Sequence, residues 1–138
     1  MTKTIRLKKK IQIVIIAENK LLLLQFAKLY NGGFQNITGS VEKDETFLEA
    51  AHRELEEEIG NSATDLYDLN IDFYFHDQWE NDIHEKVFLC QFEKTRTIKL
   101  SHEHQNFKWI PIEKVSIKDF VFPSNFKAFQ KALEFIEK

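Results

Sequence analysis

The chain has 138 residues, 43% of them hydrophobic and 13% aromatic, with a net charge of −3; this is one domain, residues 1–138, with enough apolar material for a full core. So small a negative charge gives no general attraction to nucleic acid or an anionic membrane, so the expected partner is a small molecule whose phosphates are held locally or through metal. No apolar run approaches the roughly 20 residues of a membrane span and the N-terminus lacks a signal-peptide core, which predicts a cytoplasmic protein of unspecified oligomeric state.

Residues 2–10 are basic and lead into the β-branched run Ile11 to Ile16, a buried strand with Leu21 to Phe26 as its hairpin partner across a turn at Glu18, Asn19 and Lys20. Arg6 and Lys8 to Lys10 are the cations near enough to the strand to be candidates for a triphosphate, with Arg6 and Lys8 foremost, against a plain solvated lead-in. Asn31, Gly32 and Gly33 precede the stretch Phe34 to Glu42, where a glycine permits close backbone approach and the Gly39 carbonyl is a candidate metal ligand.

An acidic helix follows, with Asp44 as its expected N-cap. Glu54, Glu57 and Glu58 are spaced i, i+3, i+4 and project within roughly a 100° arc. The arc borders an apolar stripe of Leu48, Ala51, Leu55 and Ile59, whereas Glu49 and Glu56 face solvent. Three like charges on one arc oppose helix formation unless a cation sits among them. Their hard oxygens suit Mg²⁺, or Mn²⁺, which keeps several waters and binds substrate phosphates. The alternative is a solvated acidic face paired with lysines.

Residues 61–68 read as a polar connection, and Leu69 to Phe75 and Lys86 to Phe92 as strands. The loop between them carries Trp79, which can stack on a heterocycle or serve as an anchor; His76 and His84 are not expected as ligands. Cys90, the lone cysteine, lies in a buried strand without a redox role. His102 and His104 flank Glu103 but fall short of a zinc set. A closing helix is predicted with Ser124 as N-cap and Phe126, Phe129, Leu133 and Ile136 on one face.

Gly39, Glu45, Arg53, Glu54, Leu55, Glu57, Glu58 and Gly60 fall in the spacing Gly-x5-Glu-x7-Arg-Glu-aliphatic-x-Glu-Glu-x-Gly, which resembles the signature of the Nudix hydrolases. The match departs at its last position, where Asn61 replaces an aliphatic residue and is expected to weaken one packing contact. The resemblance implies an α/β fold, an α/β/α sandwich around a mixed sheet. It also implies a structural Glu45–Arg53 ion pair, metal held by Glu54, Glu57 and Glu58, and Glu103 as a further ligand or base. Glu54 is chosen as the base that activates water.

The segment Phe34-Gln35-Asn36-Ile37-Thr38-Gly39-Ser40-Val41-Glu42 resembles, with Phe34 in place of tryptophan, a stretch of the family branch that cleaves dihydroneopterin triphosphate and dATP. Residues 103–109 and Ser124-Asn125 are similar to that branch too. This resemblance implies Phe34, Gln35 and Thr38 as substrate contacts and a pterin or purine triphosphate as substrate. Alternatives are a dinucleoside polyphosphate, a capped RNA end, or a nucleotide sensor without catalysis.

Overall fold

The structure, a computed structural model, describes residues 7–27, 30–60, 65–77, 81–100 and 104–137. Seven strands form one sheet: β1 (Leu7–Ala17), β2 (Lys20–Phe26), β3 (Phe34–Gln35), β4 (Ile37–Ser40), β5 (Leu66–His76), β6 (Asp82–Phe92) and β7 (His104–Pro111). The backbone order is β3-β2-β1-β6-β5, with β4 added to β1 and β7 to β2. Among the described strands only β1 and β6 run parallel, in register from Leu7 opposite Asp82 to Ala17 opposite Phe92. The sheet is therefore mixed, as expected.

The hairpin of β1 and β2 turns at Glu18 and Asn19, both with positive φ. Its strands pair at Ile16–Leu21 and Ala17–Lys20, after which β2 turns to β3, while β7 pairs with β2 from Lys20 to Phe26. The vacated stretch of β1, Lys10 to Ile13, is taken by β4. Among the described strands β4 pairs with β1 alone, so its second edge is free to face the site.

Alternation along β1 sends Ile11, Ile13 and Ile15 to one face and Val14 and Ile16 to the other. Helix α1 (Phe47–Ile59) covers the first face with Ala50, Ala51, Leu55 and Ile59. Helix α2 (Pro123–Ile136) covers the second with Ala128, Phe129 and Ala132. The result is the expected three-layer sandwich.

Several local expectations are corrected. The N-cap of α1 is Thr46, which forms a reciprocal capping box with Glu49. Asp44 instead takes a left-handed turn at φ 67, ahead of a Glu45 whose carboxylate is drawn to the Glu42 N–H and to Arg53. Leu48 is 44% exposed, and Ala50 takes its place in the buried stripe. Strand β5 begins at Leu66, inside the segment read as a polar connection, because a bulge between Asp68 and Asp72 at Asn70 (φ 55) breaks the alternation. His76 and His84 both lie in strands. The closing helix starts at Pro123, so Ser124 is already inside its first turn, and the cap position is taken by Phe122, whose ring has no oxygen with which to cap the helix. Ile136, at the end of that helix, is exposed. Cys90 is buried, and burial pushes its thiol up to about 12. Asn61 lies outside the described residues.

Candidate active site

The acids of α1 are sorted by the packing of the helix. Glu54 and Glu58 stand beside Leu55 and Ile59 and are 9% and 4% exposed, while Glu57 is exposed. Glu54 is pressed against β4, where a Cβ added at Gly39 would overlap its carboxyl group. Glycine at 39 is thus required by close approach and not by backbone conformation. Burial raises the Glu54 carboxyl from 4.5 to about 7, against the lowering effect of Arg53 and with smaller upward contributions from Glu57 and Glu58.

Arg53 organises the solvent side of the cluster. Its Nε and Nη2 donate to the two oxygens of Glu45 at 2.7 and 3.0 Å, and Nη2 also donates to the Ser40 carbonyl at 2.7 Å. Nη1 reaches Glu54 Oε1 at 3.1 Å and Glu57 Oε2 at 3.2 Å. The bonds to Glu45 hold the guanidinium firmly protonated, and Arg53 holds the Glu45 carboxyl below its ordinary range. Such forked, charged bonds tie the loop before α1 to the helix itself.

Glu58 turns the other way, with Oε2 2.9 Å from Nδ1 of the buried His104. The His104 Nε2 lies 3.0 Å from Gln35 Nε2, and Thr38 Oγ1 donates to Gln35 Oε1 at 3.4 Å. One line of contacts therefore runs from α1 through His104 to the opposite face of the sheet.

On that face opens a cavity of about 640 Å³, between the end of β5, the first turn of α2, and β1 and β6. Its walls include Phe26, Phe73, Phe75 and Phe122, and its polar groups include Lys10 and Glu85. Thr38 and Gln35 line it as well, so the cavity and the Glu54 carboxyl are separated by one step along β4, from Thr38 to Gly39.

Of the residues singled out in the sequence, Gly39, Glu45, Arg53, Glu54, Glu57 and Glu58 are assembled here, with Gln35 and Thr38 beside them. Phe34 is not in the cavity; its ring packs on the second core and lies 3.9 Å beneath the Lys108 ammonium. Lys8 is exposed on β1 opposite Ile83, and Lys10, two residues on, is the cation that lines the cavity. Arg6, Trp79 and Glu103 lie outside the described residues.

Sequence reasoning missed His104 as the contact of Glu58, and Gln12, Asn36, Glu85 and Asn125 as a buried polar group. The available sign was a glutamine in the second position of the apolar run Ile11 to Ile16 and a glutamate between Ile83 and Val87. Buried polar side chains on a core face require partners, and partners on different strands imply a built site.

Nudix proteins generally use divalent metals, and the donors here fit one: hard carboxylate oxygens, one of them desolvated against a glycine whose backbone comes unusually close. Among the described residues no three acids or imidazoles converge as a ready cage. Arg53 holds Glu54 and Glu57, and His104 faces Glu58, so an ion must compete with those contacts.

The profile of the NUDIX domain matches residues 7–131. The dihydroneopterin triphosphate diphosphatase of Haemophilus influenzae is 36% identical over 94 residues, which make up 59% of this chain and 59% of that protein. The match thus spans less than two thirds of that relative's length. The solved E. coli dihydroneopterin triphosphate pyrophosphohydrolase superposes with a TM-score of 0.80 and 25% identity, covering 93% of this chain and 97% of that one. A C. elegans Ap4A hydrolase superposes with a TM-score of 0.81 at 24% identity, over 94% and 98% of the two chains, a likeness of fold.

Proposed function

The chain belongs to the Nudix hydrolase family, whose members act on phosphorus anhydrides, and from that premise we propose that it cleaves a pterin or purine nucleoside triphosphate to the monophosphate and pyrophosphate. The observation that carries this reading is that an aromatic-walled cavity on one face of the sheet and the α1 carboxylates on the other meet at β4, Thr38 lining the first and Gly39 touching the second, beside the edge of β4 that pairs with no described strand. A flat ring fits the first and a polyphosphate the second. The likeness to the H. influenzae and E. coli enzymes supports dihydroneopterin triphosphate as the substrate; dATP as a slower substrate is proposed from the resemblance of residues 34–42 alone.

Glu57, Glu58, the Gly39 carbonyl and Glu103 are the proposed holders of Mg²⁺, or of Mn²⁺. The bound ion would supply neutralisation of the phosphates and a more acidic water. Glu54 is the proposed base. In the metal-free chain burial raises its carboxyl to about 7, so it takes a proton more readily than an ordinary glutamate. Arg53 and Glu45 keep α1 and its preceding loop in fixed relation, so the carboxylates do not drift as charge builds up around them. His104 positions Glu58 and Gln35 together. Water gives its proton to Glu54 as its oxygen bonds to a phosphorus of the α,β-anhydride; the bond from that phosphorus to the bridging oxygen breaks, monophosphate and pyrophosphate leave, and the proton passes from Glu54 to solvent.

The test follows, with Mg²⁺, pyrophosphate release from dihydroneopterin triphosphate, dATP and GTP, and formation of ATP plus AMP from diadenosine tetraphosphate. Fast release from the pterin substrate, slower from dATP, is the expected result. Turnover of diadenosine tetraphosphate alone would replace the substrate reading, and saturable binding with no turnover of any would mark a sensor.

A further inference from the structure

The cavity contains a feature that phosphate chemistry does not use. Glu85, 4% exposed, brings a carboxyl to a wall otherwise rich in phenylalanine. Burial raises its pKa, against lowering by Gln12 and Lys10. An acid kept in such a place is costly unless it is bonded, and its bonds here are directional.

The direction is set by a chain of amides. The Asn36 N–H donates to Asn125 Oδ1 at 2.8 Å. Asn36 Nδ2 donates both to the Asn125 carbonyl at 3.2 Å and to Gln12 Oε1 at 2.8 Å. With its oxygen taken, Gln12 must present Nε2 to Glu85 Oε1, and it does so at 2.8 Å. Gln12 therefore acts as a donor, and Glu85 is held as an acceptor. A carboxylate has about four lone-pair positions, so further N–H groups can be received. Lys10, opposite Glu85 in the strand register, supplies a countercharge on the same wall.

Resting on the triphosphate reading above, we infer that Glu85 reads the substrate's heterocycle and selects the 2-amino-4-oxopyrimidine edge, common to guanine and the pterins, over adenine. That edge offers a ring N–H and an amino group side by side, two parallel donors that match a carboxylate. Adenine offers an amino group beside a bare ring nitrogen, whose lone pair would face the carboxylate. The phenylalanine walls hold the ring plane, and Gln12, fixed by Asn36 and Asn125, holds the carboxylate in it.

The experiment measures equilibrium binding, in Mg²⁺, of the α,β-methylene triphosphates of guanosine, inosine and adenosine to the whole chain and to Glu85→Gln. The wild type should bind the guanosine analogue about 10- to 100-fold more tightly than the adenosine one, the range of a good two-bond base contact. Inosine lacks the 2-amino group and should bind about tenfold more weakly than guanosine. In Glu85→Gln the guanine preference should vanish or invert, because a carboxamide matches the donor and acceptor of adenine. Equal binding of guanosine and inosine analogues by the wild type would overturn the inference without any mutant. So would a variant that folds and weakens all three equally, or none. Pyrophosphate release from GTP and dihydroneopterin triphosphate is followed separately. Guanine preference without release refutes the pyrophosphohydrolase reading and leaves the assignment of Glu85 standing, whereas release without preference does the reverse.

Discussion

Replacing Glu54 by glutamine is expected to stabilise the metal-free protein at pH 8 while leaving it unchanged near pH 4.5. The folded protein holds the Glu54 proton more tightly than an ordinary glutamate, with burial moving its pKa from 4.5 to about 7. Below 4.5 the group is protonated in both the folded and the unfolded chain and adds no penalty. As pH rises from 4.5 to about 7 the unfolded chain gives up the proton first, so folding loses stability, and above 7 the loss is constant. At about 1.36 kcal/mol per pH unit the full loss is about 3 kcal/mol. For a chain of this size that corresponds to about 10 °C in melting temperature. Glutamine mimics the protonated acid and carries no such penalty. Thermal unfolding in EDTA from pH 4.5 to 9 should therefore show two curves that coincide at the acid end and diverge to a plateau above pH 7. Saturating Mg²⁺ should then raise the wild type more than the variant, because the ion relieves a charge the variant lacks. Equal stability at pH 8, or a less stable variant, would refute the claim that the carboxylate is desolvated.

Gly39→Ala places a methyl group where the Glu54 carboxyl lies; the fold should persist, and the steady-state rate should fall by about 100-fold, the scale of a misplacement of about 1 Å in a catalytic group. Arg53→Lys loses the fork that joins Glu45 and the Ser40 carbonyl, which should cost about 1–3 kcal/mol in denaturant unfolding. Thr46→Ala removes the capping box of α1 and should cost about 1 kcal/mol by the same assay. Cys90, buried and pushed up to about 12, should react with a thiol reagent at pH 8 only after unfolding.

The acidic helix was legible because helical periodicity alone separates Glu54, Glu57 and Glu58 from Glu49 and Glu56. The hairpin was legible from its apolar runs and turn residues. The cap was misplaced because Asp44 and Thr46 are both good caps, and the choice depends on where the Glu45 carboxylate is drawn by Arg53, eight residues away. The start of β5 was hidden by a bulge, which shifts the alternation on which a strand is read. The cavity was the least accessible part. Glu85 faces Lys10 only because β6 runs parallel to β1 in one register, and Gln12 meets Asn36 only because β4 replaces β2 beside β1. No local pattern encodes those pairings. In the sequence His104 stands out only as half of an incomplete zinc pair with His102; its contacts follow from β7 bringing it to Gln35 and Glu58.

The most direct test of the central claim is pyrophosphate release from dihydroneopterin triphosphate as Mg²⁺ is titrated, in the wild type and in Glu57→Gln. Glu57 is exposed and bonded to Arg53, so the substitution should leave the unfolding free energy within about 1 kcal/mol of the wild type. The proposed role of the α1 carboxylates predicts Mg²⁺-dependent release by the wild type and a loss of at least about 100-fold in the variant. Near wild-type release by folded Glu57→Gln, or release by the wild type that is indifferent to Mg²⁺ and EDTA, would contradict it.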